Sequence, residues 1–139
     1  MKSTVKRRQR VLHARKIQHL QAAGVAAAAE GMVTALEAQA AHVLLLSHSM
    51  VPATGATTAA AIGGAGELAM RLRDAHTMLG GALERARADA EDKAAFRVEA
   101  RIREESADRL VDRARAALSD ANEMKLQLMP LARRRGGLA

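Results

Sequence analysis

The sequence of 139 residues contains no cysteine, tryptophan or tyrosine, and Phe96 is its one phenylalanine. The lack of cysteine excludes disulfide bonds and thiolate zinc sites. Because aromatic residues are almost absent, no large side chains are available to fill a globular core, and the β-branched residues are too scattered to predict a sheet. Alanine, leucine, arginine and glutamate dominate instead, and these residues favour helices. We therefore predict an all-α protein.

The sequence also lacks several features of catalytic and membrane-spanning proteins. No apolar run approaches the roughly twenty residues that a transmembrane helix needs. The histidines include no pair four residues apart that would direct two imidazoles at one metal ion. The glycines of residues 63–66 are not followed by the Lys and Ser/Thr of a phosphate-binding loop. We therefore expect no metal, no cofactor, no small-molecule substrate and no enzymatic activity.

Two long apolar seams follow alternating steps of three and four residues, and repeats of this spacing are typical of left-handed coiled coils. The first seam consists of Val5, Arg8, Leu12, Arg15, His19, Ala22, Ala26, Ala29, Val33, Leu36, Ala40, Val43, Ser47 and Met50. The second consists of Leu68, Leu72, Ala75, Leu79, Ala82, Ala86, Asp89, Lys93, Phe96, Ala100, Arg103, Ala107, Leu110, Ala114, Ala117, Ala121, Met124, Leu128 and Leu131. Two long helices that pack against each other are the predicted result.

Pro52 and four glycines separate the two seams, which predicts a turn. We predict one coiled-coil hairpin domain over residues 1–139, with antiparallel helices. Its parts are a helix over about 4–50, a turn over about 51–66, a helix over about 67–131 and a basic tail over 132–139. If Met50 faces Leu68, Val5 lies opposite about residue 113. A dimer of extended helices satisfies the same seams, so the sequence leaves this alternative open.

The formal net charge of +7 is unevenly distributed along the chain. Residues 1–29 contain seven Lys and Arg and no acidic residue, whereas residues 67–132 carry twelve basic and thirteen acidic residues. A folded-back second helix brings the basic residues at 133–135 to the same end as residues 1–29. It also places a group of acidic residues beside a group of basic ones, and these groups can form ion pairs. The acidic group is Glu104, Glu105, Asp108 and Asp112, and the basic group is Lys6, Arg7, Arg10 and Lys16.

Val98 and Ile102 lie one turn apart outside the second seam. Exposed apolar residues of this kind are candidates for docking a partner. A local shift of register near Phe96 would instead turn both side chains inward. The sequence leaves these two interpretations open.

The layout of the chain resembles the flagellar FliJ and type III secretion YscO family. The resemblance covers an Arg-rich start, a first helix, a turn of small residues and a longer second helix rich in Ala, Arg and Glu. Residues 6–12, KRRQRVL, and residues 107–113, ADRLVDR, are typical of it. Members of that family are cytoplasmic antiparallel coiled coils that resemble the central stalk of rotary ATPases. The resemblance implies a cytoplasmic protein at the periphery of the inner-membrane export apparatus.

The resemblance also implies partners and the residues that contact them. The paired basic segments would enter a hexameric export ATPase through Lys6, Arg7, Arg8, Arg10, Arg15, Lys16, Arg133, Arg134 and Arg135. The export gate, a membrane protein, would be contacted near the turn. Leu68, Leu72, Ala75 and Leu79 match the spacing of that contact in the family, although the same four residues also fit the seam as ordinary core. Secretion chaperones are further candidate partners.

A different class of function uses the same basic segment to bind nucleic acid or an anionic membrane. Seven to ten phosphate contacts would make such binding strongly salt-dependent, and an Arg-rich amphipathic segment can lie on anionic lipid. Against this class, no aromatic residue near the cations is available to stack on bases. The sequence also shows no bulky residue among the first cations to insert into lipid. Both classes of function stay open at this point.

Overall fold

The computed structural model describes the backbone of residues 1–49 and 59–136. Its first helix, α1, is Lys2–Ser49, and its second, α2, is Ala59–Gly136. Within these ranges there is no β-strand. The predicted all-α fold class, with two long helices that pack against each other, is therefore confirmed.

The second helix begins earlier than the sequence pattern predicts. Residues 59–66 of the predicted turn are helical, whereas residues 50–58 lie outside the described residues. The run Ala59-Ala60-Ala61 gives the helix a start of high intrinsic propensity. No described glycine has a positive φ, so Gly63 and Gly64 continue the helix despite a cost of about 1 kcal/mol each relative to alanine.

The chain divides into two compact units. The first unit comprises Met1–Ala22 and Arg97–Ala139, and the second comprises Ala23–Phe96. Each unit therefore contains one segment of α1 and one segment of α2.

In the first unit the two segments run antiparallel. The Arg8 guanidinium donates a hydrogen bond of 2.9 Å to the carbonyl oxygen of Leu110. Further along α1, His19 Nδ1 lies 2.5 Å from Glu104 Oε2, six residues earlier on α2. The contact between Arg8 and Leu110 agrees with the predicted register, in which Val5 lies opposite about residue 113.

The core of the first unit is built almost entirely from small side chains. Val111 is 1% exposed, and it is the one large side chain in the described part of the chain that is fully buried. Among its described side chains, the buried ones are Val5, Ala22, Ala100, Ala107, Val111 and Ala114. Since alanine offers little apolar area, each pair of facing positions stabilises the unit less than a Leu pair would.

In the second unit the segments are also antiparallel. An Arg87 Nη2 atom lies 3.1 Å from Glu37 Oε1, and a groove further along α1 is lined by Val43 and by Leu72 of α2. Among the described residues of this unit, Ala26 and Ala29 are buried. Its remaining core positions are half-buried.

The seam predicted on α1 is correct. Every seam position from Val5 to Ser47 is buried or half-buried, and Ala23 is the one additional residue of α1 that is not exposed. Met50 lies outside the described residues. The seam predicted on α1 is therefore confirmed at every described position.

The seam predicted on α2 is correct at every second position and wrong by one residue at most of the others. The shared half, from Leu72 to Ala121 in steps of seven, is buried or half-buried. In the other half, Ala75 and Ala82 are half-buried as predicted, but elsewhere the residue that packs lies one position later, at Ala69, Ala90, Glu104, Val111 and Leu118. The predicted positions that are exposed instead are Leu68, Asp89, Phe96, Arg103, Leu110, Ala117, Met124 and Leu128. The side chain of Leu131 is not among those described.

This offset has a physical cause. Alanine occurs in several frames of α2, so a count of apolar positions favoured the frame that also contained Phe96 and Leu110. The first seam, however, carries polar residues such as His19, and these pair best with a polar residue on the facing helix. Glu104 meets His19 only in the observed frame.

Candidate interaction surface

The first unit contains the acid-free, basic segment of α1. Lys6, Arg7, Arg10 and Lys16 are exposed on it. Arg8 and Arg15 occupy seam positions and are half-buried, as the repeat predicts. Six of the nine cations predicted to contact a partner therefore lie together along about three turns of one helix.

The two half-buried arginines make hydrogen bonds to uncharged oxygens. Besides the bond from Arg8 to the Leu110 carbonyl, Arg15 Nη1 donates a hydrogen bond of 2.9 Å to Gln18 Oε1. A guanidinium has five N–H donors. Each of these arginines is thus held in place while most of its donors remain available to a carboxylate or phosphate.

The predicted ion pairs between the two helices are not formed. Glu104 contacts His19, and Glu105 Oε1 lies 3.1 Å from Arg101 Nε on its own helix. Within the part of the chain that the structure describes, no carboxylate lies within ion-pair distance of the cations Lys6, Arg7, Arg10 and Lys16. The prediction failed because Glu104 and Glu105 contact other residues, and exposed pairs of this kind have too little energy to impose a register.

A row of like charges runs along the outer face of α1. Lys2, Lys6 and Arg10 are spaced four residues apart, so each lies one turn above the next. Like charges at this spacing destabilise an isolated helix by about 0.2–0.5 kcal/mol per pair. An anionic partner would remove this repulsion, so the row is a surface that gains stability on binding.

A groove lies between the two helices of the first unit on one side of the seam. It has a volume of about 310 Å³ and is open to solvent. Val11 of α1 with Ala107 and Leu110 of α2 form its apolar walls, while Arg7 and Arg8 provide guanidinium groups at its edge. Leu110 was predicted to lie in the seam, so sequence reasoning missed its place in this groove.

The flank of α2 beside this groove carries basic but few acidic side chains. At 3.6 residues per turn, Arg103 and Arg113 lie within about 60° of Leu110 around the helix, and so does Glu99, whose Oε2 atom lies 3.9 Å from Arg103 Nη2. Asp108 and Asp112 lie about 160° away from it, on the opposite flank. The cations that line the groove are therefore Arg7 and Arg8 of α1, and Arg113 adds a further cation on the neighbouring flank of α2.

The three arginines at 133–135 lie in the last turns of α2, which ends at Gly136, and their side chains are outside those described. From Asn122 to Met129 every side chain of α2 is exposed. At 1.5 Å per residue, Arg133 lies about 35 Å further along the helix than Leu110, the contact of Arg8. Within this unit, residues 133–135 thus lie beyond the contact with Arg8 in the direction of the start of α1, but they are well separated from the cations of α1.

In the second unit, the four residues that match the export-gate contact of the resembled family divide into two groups. Leu68 is 43% exposed, whereas Leu72, Ala75 and Leu79 are half-buried. A groove of about 280 Å³ near them is lined by residues that include Leu72, Val43 and His76. Three of the four candidate residues therefore serve the packing of the two helices.

Val98 and Ile102 are both more than half exposed, at 55% and 56%. The interpretation in which a shift of register turns these two side chains inward is therefore wrong. The face of α2 that packs on α1 does differ from the predicted one, but the offset brings Glu104 and Val111 to the seam instead.

Membrane-spanning segments and metal-binding clusters are both missing from the described residues. Neither α1 nor α2 contains a segment apolar and long enough to cross a membrane. Within residues 1–49 and 59–129, His, Asp and Glu side chains form no group of three that could hold a metal ion.

The described residues thus define an all-α, two-helix protein with a cationic surface in its first unit. Comparison with family models, with curated proteins and with solved structures gives no match to this chain. The cationic surface and the resemblance in layout therefore carry the functional inference.

Proposed function

We propose that this protein is a non-enzymatic stalk or escort protein of a bacterial flagellar or type III protein-export apparatus. It docks the basic two-helix end of the first unit into a hexameric export ATPase and contacts the export gate with the second unit. It acts in the cytoplasm, at the periphery of the inner-membrane apparatus. Secretion chaperones are further partners of this protein.

One observation carries the proposal. The exposed cations of α1, Lys6, Arg7, Arg10 and Lys16, have no carboxylate partner among the described residues. Unpaired like charges on one helix favour association with an acidic surface, which also steers encounter at long range. An acidic ring that encloses a pair of helices offers such a surface.

The proposed contact with the export gate lies in the second unit. Of the four residues that match the gate contact, Leu68 is exposed. Leu72, Ala75 and Leu79 are half-buried in the packing of the two helices. We expect the gate to contact Leu68 rather than all four residues. Substitution of the other three would act through the stability of the second unit.

Complex formation with the ATPase tests the proposal. The chain is mixed with the hexameric export ATPase from the same organism at about 150 mM salt, and the mixture is analysed by size-exclusion chromatography with light scattering. We expect a complex and a faster rate of ATP hydrolysis. Separate elution of the two proteins, with an unchanged rate, would contradict the proposal.

The second candidate function is binding to nucleic acid or to an anionic membrane. Ile17 and Leu20, which are 43% and 72% exposed, share the outer face of α1 with the Lys2, Lys6 and Arg10 row. A face with both cations and apolar side chains suits an anionic bilayer. Mobility-shift assays with DNA and RNA, and sedimentation with vesicles of phosphatidylglycerol, separate this candidate from the first. Binding below about 1 µM protein in these assays, without ATPase binding, would favour it.

A further inference from the structure

The groove of the first unit differs from the rest of the basic surface because it combines apolar walls with guanidinium groups. Its walls are Val11, Ala107 and Leu110, and Arg7 and Arg8 stand at its edge. Val11 and Leu110 are 46% and 43% exposed, so their side chains are available to a partner. Exposed apolar walls of this kind favour a partner that also contributes apolar side chains.

From this groove we infer a specific docking site for an acidic amphipathic helix of a partner protein. The apolar face of that helix enters the groove between Val11 and Leu110. Its flanking carboxylates meet the guanidinium groups of Arg7 and Arg8. The site deepens the proposed function, on which it rests for the identity of the partner, but its chemistry stands on the groove alone.

The size of the groove agrees with a helix as the occupant. Its lining on α1 runs from Thr4 to Val11, which spans about 10 Å or two helical turns. Its volume of about 310 Å³ holds a few apolar side chains of one helix face. Amphipathic helices that dock in grooves use apolar anchors three and four residues apart, and this spacing matches two turns.

Arg8 is prepared for a carboxylate by its contact with α2. One Nη atom donates to the carbonyl oxygen of Leu110, which fixes the guanidinium at the edge of the groove. A fixed guanidinium loses less side-chain entropy when it binds a carboxylate in a two-pronged geometry. Arg7 beside it is exposed and contributes a second positive charge.

The charges around the groove favour an acidic partner over a second copy of this chain. Arg7 and Arg8 line the groove and Arg113 lies on the same flank of α2, whereas Asp108 and Asp112 lie on the opposite flank and Glu99 is already paired with Arg103. A second copy would bring its own acid-free α1 segment to this basic region. An acidic helix gains attraction at both edges instead.

Peptide binding tests the inference without the ATPase. The probe is an 18-residue fluorescent peptide with Leu at three- and four-residue spacing and Glu on the flanking positions. Two reference peptides are one of the same composition with scattered Leu and an oligoglutamate of equal charge. We expect the amphipathic peptide to bind at least tenfold more tightly than either reference at about 150 mM salt. Equal affinity for the oligoglutamate would overturn the inference, because charge alone would then explain binding.

Matched variants locate the peptide on the groove. Val11→Ala removes two methyl groups from the wall and is expected to weaken binding about tenfold. Ile17→Ala, at similar exposure on the outer face of α1, is expected to leave the affinity unchanged. Equal effects of Val11→Ala and Ile17→Ala on the affinity would overturn the inference, and circular dichroism checks that each variant keeps its helices.

Two variants that each remove one positive charge test the position of the peptide independently. Arg113→Gln lies on the groove flank and is expected to weaken binding severalfold, whereas Arg115→Gln lies on the other flank and is expected to have no effect.

Light scattering of the chain alone detects a second copy as the occupant. A dimer that Val11→Ala dissociates would overturn the assignment to an acidic helix. Loss of the ATPase complex with peptide binding retained would contradict the proposed function but not this site.

Discussion

His19 and Glu104 form a contact between the two helices of the first unit, with 2.5 Å between His19 Nδ1 and Glu104 Oε2. Both side chains are 26% exposed, so the pair is partly shielded from water. Both residues occupy seam positions, where a polar side chain without a partner would cost free energy. The pair therefore helps to set which frame of α2 faces α1.

A double-mutant cycle on His19→Gln and Glu104→Gln measures this contact. At pH 7 we expect a coupling free energy of about 0.5–1 kcal/mol from urea unfolding, because the pair is partly shielded and joins two helices. The matched cycle is Arg101→Gln with Glu105→Gln, an exposed pair within α2 for which we expect about 0.3–0.5 kcal/mol. A coupling near zero for His19 and Glu104 would show that the contact does not contribute to pairing.

The face of α2 that packs on α1 buries Val111 and leaves Leu110 exposed, so these adjacent residues are expected to contribute differently to stability. Val111→Ala removes two methyl groups from a fully buried site, so we expect it to lower the free energy of unfolding by about 2 kcal/mol. Leu110→Ala removes a larger side chain that is 43% exposed, and we expect a loss below about 1 kcal/mol. Urea unfolding followed by circular dichroism measures both. The opposite order would favour the frame that a count of apolar residues selects.

Charge reversal at Lys6 is expected to stabilise the isolated protein. Lys6→Glu replaces two repulsive contacts, with Lys2 and Arg10, by two attractive ones and places an acidic residue near the start of α1. We expect a gain of about 1 kcal/mol in the free energy of unfolding. Lys6→Gln removes the repulsion without adding attraction, so about half of that gain is expected. Destabilisation by Lys6→Glu would mean that Lys6 has a favourable partner within the chain.

Two helical glycines are expected to be replaceable by alanine with a gain in stability. Apart from its chain neighbours and the backbone of its own helix, a Cβ atom at Gly24 or at Gly31 would meet no atom within 4 Å. Alanine favours a helix interior by about 1 kcal/mol over glycine, so each substitution is expected to raise the free energy of unfolding by about that amount. Thermal unfolding of the two single variants and the double variant checks this value and its additivity. A loss of stability in either variant would contradict the open space at that position.

The sequence predicted much of the fold because its information is periodic. Every described seam position of α1 is correct, since Leu and Val residues occur there at one consistent spacing. The frame of α2 could not be chosen by counting, because alanine fills several frames and the decision depends on which residue meets His19. The start of α2 at Ala59 was missed because glycines normally disfavour helices, and here an alanine run precedes Gly63 and Gly64.

The candidate surface was predicted in composition but not in arrangement. The lack of acidic residues in 1–29 identified the cations, but the expected partners Glu105, Asp108 and Asp112 depend on a rotation of α2 that the sequence does not fix. The same rotation places Leu110 in a groove rather than in the seam. The contacts between the helices therefore depend on this rotation of α2, which the sequence pattern does not determine.

Binding of the export ATPase by matched charge variants tests the central claim, that the acid-free segment of α1 docks into an acidic ring. One triple variant carries Lys6→Glu, Arg7→Glu and Arg10→Glu. The control carries Arg71→Glu, Arg73→Glu and Arg85→Glu, which are exposed residues of α2 in the second unit and change the net charge equally. We expect the first variant to bind the ATPase at least tenfold more weakly than the unmodified chain, while the control binds within about twofold of it. Equal weakening by both variants, or no weakening by the first, would contradict it.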